Sequence, residues 1–223
     1  MPEIIFGLPT AIALMYGAAF FYLLGIIATW KSYRAESNEL MGAFMAFLFS
    51  MGLALFLMGS AEYLAQPMLG AAGTLAILIG SVIMLRFPLS LARQPLQSFL
   101  FYVSMIVAIA FFVVMMATRV GQEYMMPMIM WFMIVVNGIV VSFFVIYAGL
   151  KAKERWFKVK AIGGGTGIAA CCLASHVAMM IGTPLISAML QFAAPIIIAV
   201  SIQLGKFLQR SSQRPDTNLA SAA

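Results

Sequence analysis

Cys172, His176 and Met179 or Met180 lie three to four residues apart. On a helix that spacing puts them on one face. A thiolate, an imidazole and a thioether together suit Cu(I) or a haem iron. His176 is the only histidine in the chain, so paired axial histidines are not available for a haem. The plainer alternative is a neutral imidazole hydrogen-bonded to a neighbouring helix. Ionisable groups inside apolar spans usually mark function, so the position remains a candidate for haem or copper.

A second constellation joins Asn137, His176 and Gln191, three polar side chains inside otherwise apolar runs. Converging, they would line a polar path for a small solute. Apart, each would be a clasp to a neighbouring helix. Met125, Met126, Met128 and Met130 cluster beside Glu123. Thioethers bind Cu(I), although methionine is also a flexible packing residue.

The segment carrying His176 has another pattern. Gly163, Gly167, Cys171 and Ser175 recur every four residues. Small residues at that spacing let two helix backbones approach closely in lipid. Gly163, Gly164 and Gly165 follow a basic stretch and are expected to open a helix. Its exposed N–H groups would favour an anion such as a lipid headgroup. No H-E-x-x-H, G-x-S-x-G or G-K-[ST] set occurs. Ser175 and His176 are adjacent and point in different directions on a helix. The expectation is a non-enzyme.

These residues need elements to hold them. The 223-residue chain is 64% hydrophobic and only 9% charged. Soluble domains are about a quarter charged, so this chain lacks the polar surface that water requires. A span needs about 20 apolar residues. Seven such runs occur, at about 4–30, 40–64, 68–85, 98–118, 126–150, 161–182 and 185–208. They predict an all-α integral membrane protein, a seven-helix bundle over residues 1–208. The first run has no basic leader, so it is read as a retained helix. Residues 209–223 are polar without periodicity and are expected to form a disordered tail.

Charge sets the expected orientation. Lys31 and Arg34 follow span one, and Arg86 and Arg93 follow span three. Lys151, Lys153, Arg155, Lys158 and Lys160 follow span five, and Lys206, Arg210 and Arg214 close the chain. Arg119 alone falls on the other side. The positive-inside rule then puts the N-terminus outside and the C-terminus in the cytoplasm. The net charge of +6 is thereby a topology signal. It adds attraction to anionic inner-leaflet lipid and gives nucleic-acid binding no support.

This topology resembles that of the seven-span sensor modules at the N-terminus of some bacterial signalling proteins. Those share an outside N-terminus, a short basic first loop and an acidic residue near the end of helix two, where Glu62 stands here. The expected function is a receptor-like module or accessory subunit in a bacterial inner membrane. The basic loop from Lys151 to Lys160, with Trp156 and Phe157, would sit on lipid or dock a membrane or cytoplasmic partner. A small-solute transporter using Asn137, His176 and Gln191 is the alternative. A haem or copper protein using Cys172, His176, Met179 and Met180 is another.

Overall fold

The computed structural model describes residues 4–5, 8–36, 39–90, 94–117, 125–181 and 184–212. The side chains of 4–5, 31–33, 35–36, 115, 125–132, 175–181 and 184 fall outside that description. Two short strands, β1 (Ile4–Ile5) and β2 (Leu8–Pro9), pair antiparallel, Ile4 with Pro9 and Ile5 with Leu8. The helices are α1 (Thr10–Glu36), α2 (Glu39–Leu64), α3 (Pro67–Met84), α4 (Arg86–Leu89), α5 (Gln94–Ala117), α6 (Met125–Lys151), α7 (Arg155–Ile181) and α8 (Pro184–Ser212). Seven of them are long and apolar enough to cross a membrane. In lipid every backbone N–H and C=O must be satisfied inside its own segment, and a helix does that. The chain is a polytopic all-α membrane bundle.

Six spans close a ring. α1 packs on α2, α2 on α3, α3 on α6, α6 on α7, α7 on α8, and α8 back on α1. The α7–α8 seam is the most extensive. α5 lies outside the ring against α3 and α6. The ring interior is filled by Tyr22, Phe47, Leu48, Met51, Leu78 and Ile168, all essentially inaccessible.

Several helix ends depart from the apolar runs. The first span starts at Thr10, not near residue 4, because Pro9 has no N–H and holds Leu8 out of the helical region. α7 starts at Arg155, with Phe157 and Lys158 N–H both reaching the Glu154 carbonyl. Gly163, Gly164 and Gly165 thus lie about two turns inside the helix. Their amides belong to its ladder and do not form an anion-binding N-terminus. The basic loop shrinks to residues 152–154, since long basic stems let a helix run past its apolar stretch while the charge stays wet. At the other end α8 continues to Ser212, so 209–212 are helical and not part of a disordered tail. Gln209 there accepts a hydrogen bond from Lys160 Nζ at 3.3 Å. Residues 213–223 fall outside the described residues.

The α2–α3 connection is tight. Ala65 takes a left-handed φ of 52°, and Gln66 N–H reaches back to the Ala61 carbonyl at 3.0 Å. That is a Schellman end, and Pro67 then starts α3 at a position where its missing N–H costs nothing.

Candidate functional site

The centre of the ring is organised by one hydrogen bond. Tyr22 on α1 and Cys171 on α7 belong to helices that flank α8 on opposite sides. α1 sits between α2 and α8, and α7 between α6 and α8. Tyr22 Oη nevertheless crosses the interior and donates to Cys171 Sγ at 3.1 Å, with both residues buried. A buried tyrosine hydroxyl needs such a partner, and in hydrocarbon no water can supply one. The neutral thiol accepts weakly and otherwise packs as a small apolar group.

Cys172 faces elsewhere. Its Cβ and Sγ press against Gly138 on α6, where any side chain would overlap them. Gly163 meets Ser201 on α8, and Gly167 meets Ile198 and the Ala194 carbonyl of α8. The four-residue stripe therefore begins as an α7–α8 contact and has turned inward by Cys171. Each four-residue step overshoots a turn by about 40°, which carries the stripe from α8 to the interior. Ser175, next in the stripe, has its side chain outside the described residues.

Each of the two described members of the expected polar path makes a hydrogen bond of its own. Asn137 Nδ2 donates to Ser81 Oγ on α3 at 3.4 Å, and Ser81 Oγ donates to its own helix at the Leu78 carbonyl at 2.8 Å. Gln191 Nε2 donates to Ser187 Oγ of its own helix at 3.3 Å. The third member, His176, lies on α7 with its side chain outside the described residues, as do Met179 and Met180. The side chains of Met125, Met126, Met128 and Met130 fall outside them too. Among the described residues no three His, Cys, Asp or Glu side chains come close enough to hold a metal ion. Of the copper or haem set only Cys172 is described, and its sulfur faces Gly138. The Asn137 clasp is a single long hydrogen bond. Asn137→Leu is expected to cost about 0.6 kcal/mol and no more than about 1.7, read from unfolding in mixed micelles. A larger loss would give Asn137 a role beyond this contact.

One end of the bundle is basic. Lys151, Lys153 and Arg155 are exposed there, and Lys158 and Lys160 are half-buried. Lys160 Nζ stands 4.6 Å from the centre of the Trp156 ring, and Lys151 stands 5.7 Å from that of Tyr147. Arg86 lies over Phe101 at 4.5 Å and Arg34 over Trp30 at 5.4 Å. Lys206 Nζ donates to the Ala28 carbonyl at 2.7 Å. Arg34, Arg86, Lys151 and Lys160 are thus held on rings, the pairing expected where aromatic side chains settle at a membrane boundary.

Sequence reading placed Cys171 in a small-residue stripe and did not join it to Tyr22. A mid-span tyrosine hydroxyl signals that a partner exists, but not on which helix. Gly138 carried no signal beyond standing next to Asn137. The fold and these contacts define a multi-pass membrane protein with a packed interior. No protein-family model matches the chain, and no curated protein or solved structure matches it significantly.

Proposed function

We propose that this is a non-enzymatic polytopic protein acting through partners, either a receptor-like sensory module or an accessory subunit of a membrane complex. The observation that carries the reading is α5. It is held by α3, α6 and the short α4, outside the ring. Phe99, Tyr102, Ile106, Ile109 and Val113 stand outward from it. Their spacing alternates three and four, the seam of a left-handed helix pair. The filled ring interior supports the same reading, because it favours a protein that works at its outer surface. In this reading the basic end is cytoplasmic and the N-terminus outside, by the positive-inside rule, in a bacterial inner membrane. The basic residues Lys151, Lys153, Arg155, Lys158 and Lys160 would then face anionic lipid or a cytoplasmic partner.

Photo-crosslinking in intact membranes tests it. Benzoylphenylalanine at Tyr102 or Ile106 should give one discrete adduct with another membrane helix. The same probe at Val200 on α8, equally exposed, should not. Identical crosslinking at both faces, or none at α5, would refute the reading.

A further inference from the structure

A groove of about 490 Å³ runs between the outward faces of α1 and α2. Its rims are Phe20 and Leu23 on one side and Phe49, Leu53 and Phe56 on the other, all turned toward lipid. Its floor is made by small residues. Gly52 lets the helices close behind the groove, since a Cβ there would stand 3.1 Å from Tyr22 Cβ and 3.5 Å from the Ala19 carbonyl. One end is capped where Tyr16 and Ser60 hydroxyls bond each other at 3.1 Å. Ile26 and Phe49 line the end of the groove nearer the basic end of the bundle.

The groove's foot is charged. Residues 16, 20, 23, 27, 30 and 34 follow one face of α1, since 18 residues make about five turns. Trp30 and Arg34 thus continue the groove wall to the boundary, with the arginine over the indole at 5.4 Å. Lys206 of α8 lies nearby on the other flank of α1, at the Ala28 carbonyl. Glu39, which opens α2, is an acid at the same end. From Tyr16 to Ile26 the slot is about 15 Å long at 1.5 Å per residue, half the hydrocarbon thickness of about 30 Å.

We propose that this groove holds one chain of an anionic phospholipid from the leaflet at the basic end, with its phosphate at Arg34. Length, apolar walls and charge at one foot all match that ligand. A second transmembrane helix fits poorly. About 490 Å³ over about 15 Å leaves a cross-section of roughly 33 Å², far below that of a helix about 10 Å across. A flexible chain follows the slot and recovers the wall contacts that a void would forfeit.

Native mass spectrometry of the full chain tests this, after mild detergent extraction and loading with phosphatidylglycerol or phosphatidylcholine of identical acyl chains. One phosphatidylglycerol should stay bound through detergent washing. Leu53→Trp, or Leu23→Trp as a second filling variant, should lower its retention about tenfold. Arg34→Gln should reduce the preference for phosphatidylglycerol about fivefold, the value of one basic side chain at a lipid surface. Ile139→Trp, exposed on α6 away from α1 and α2, should leave retention unchanged, and each variant is first shown monodisperse by size-exclusion chromatography. The proposal falls if no lipid is retained, if the filling variants keep it, or if Ile139→Trp loses it equally. It falls as well if the retained mass is an isoprenoid or a second protein chain.

Discussion

Tyr22→Ala is expected to lower the stability of the bundle by about 2–3 kcal/mol, the cavity cost of a void of roughly 100 Å³ at about 24 cal/mol per Å³. Tyr22 is fully buried at the middle of α1, inside the cluster that includes Leu48, Met51, Cys171 and Ile198. In lipid there is no hydrophobic drive between helices, so the packing forfeited to a cavity is not recovered elsewhere. The cost splits into two parts that separate variants measure. Tyr22→Phe keeps the ring and removes only the hydroxyl, so it should cost about 0.6 kcal/mol. Cys171→Ala in the Tyr22→Phe background should then add no further hydrogen-bond loss, and a double-mutant cycle reads that coupling. Thermal melting in detergent followed by size-exclusion chromatography ranks the variants. If Tyr22→Phe melts as low as Tyr22→Ala, the hydroxyl outweighs the packing, and the centre of the ring is organised by polarity.

The seven spans were legible because an apolar run of about 20 residues has one economical conformation in a bilayer. Their ends were less so. Arg155, Lys158 and Lys160 read as loop, yet their stems are compatible with helix and their heads reach the boundary. The order of helices around the ring was not legible at all. In a soluble helix a polar stripe shows which face is buried, but here the lipid side and the core side are both apolar. Phe20 is exposed and Tyr22 two residues on is buried, and hydropathy does not tell them apart. Small residues were the better guide. The Gly163 and Gly167 stripe announced a close helix contact, although only the structure names α8 as its partner. Polar residues announced that each had a partner, and Asn137 found Ser81 rather than Gln191.

The three consecutive glycines of α7 should respond to alanine with opposite signs. A Cβ on Gly163 would overlap Ser201 at both Oγ and Cβ. Rotation of the serine moves only the oxygen, so α8 itself must shift. A Cβ on Gly165 would stand 2.6 Å from Ile146 Cγ1 and 3.1 Å from the Ser142 carbonyl of α6. A Cβ on Gly164 would meet nothing within 4 Å. Overpacking of this kind costs about 1–3 kcal/mol and sometimes more. Gly163→Ala is expected at or above the top of that range, because it wedges the most extensive helix seam in the bundle. Gly165→Ala should be milder, since Ile146 can change rotamer. Gly164→Ala should instead stabilise the helix by about 0.5–1 kcal/mol, the ordinary gain of replacing an interior glycine. The measurement is the melting temperature of the three single variants side by side. A common sign for all three would mean that α7 does not sit between α6 and α8 in this register. It would also undo the rotation that carries Cys171 inward to Tyr22, because both contacts follow from the same helical phase.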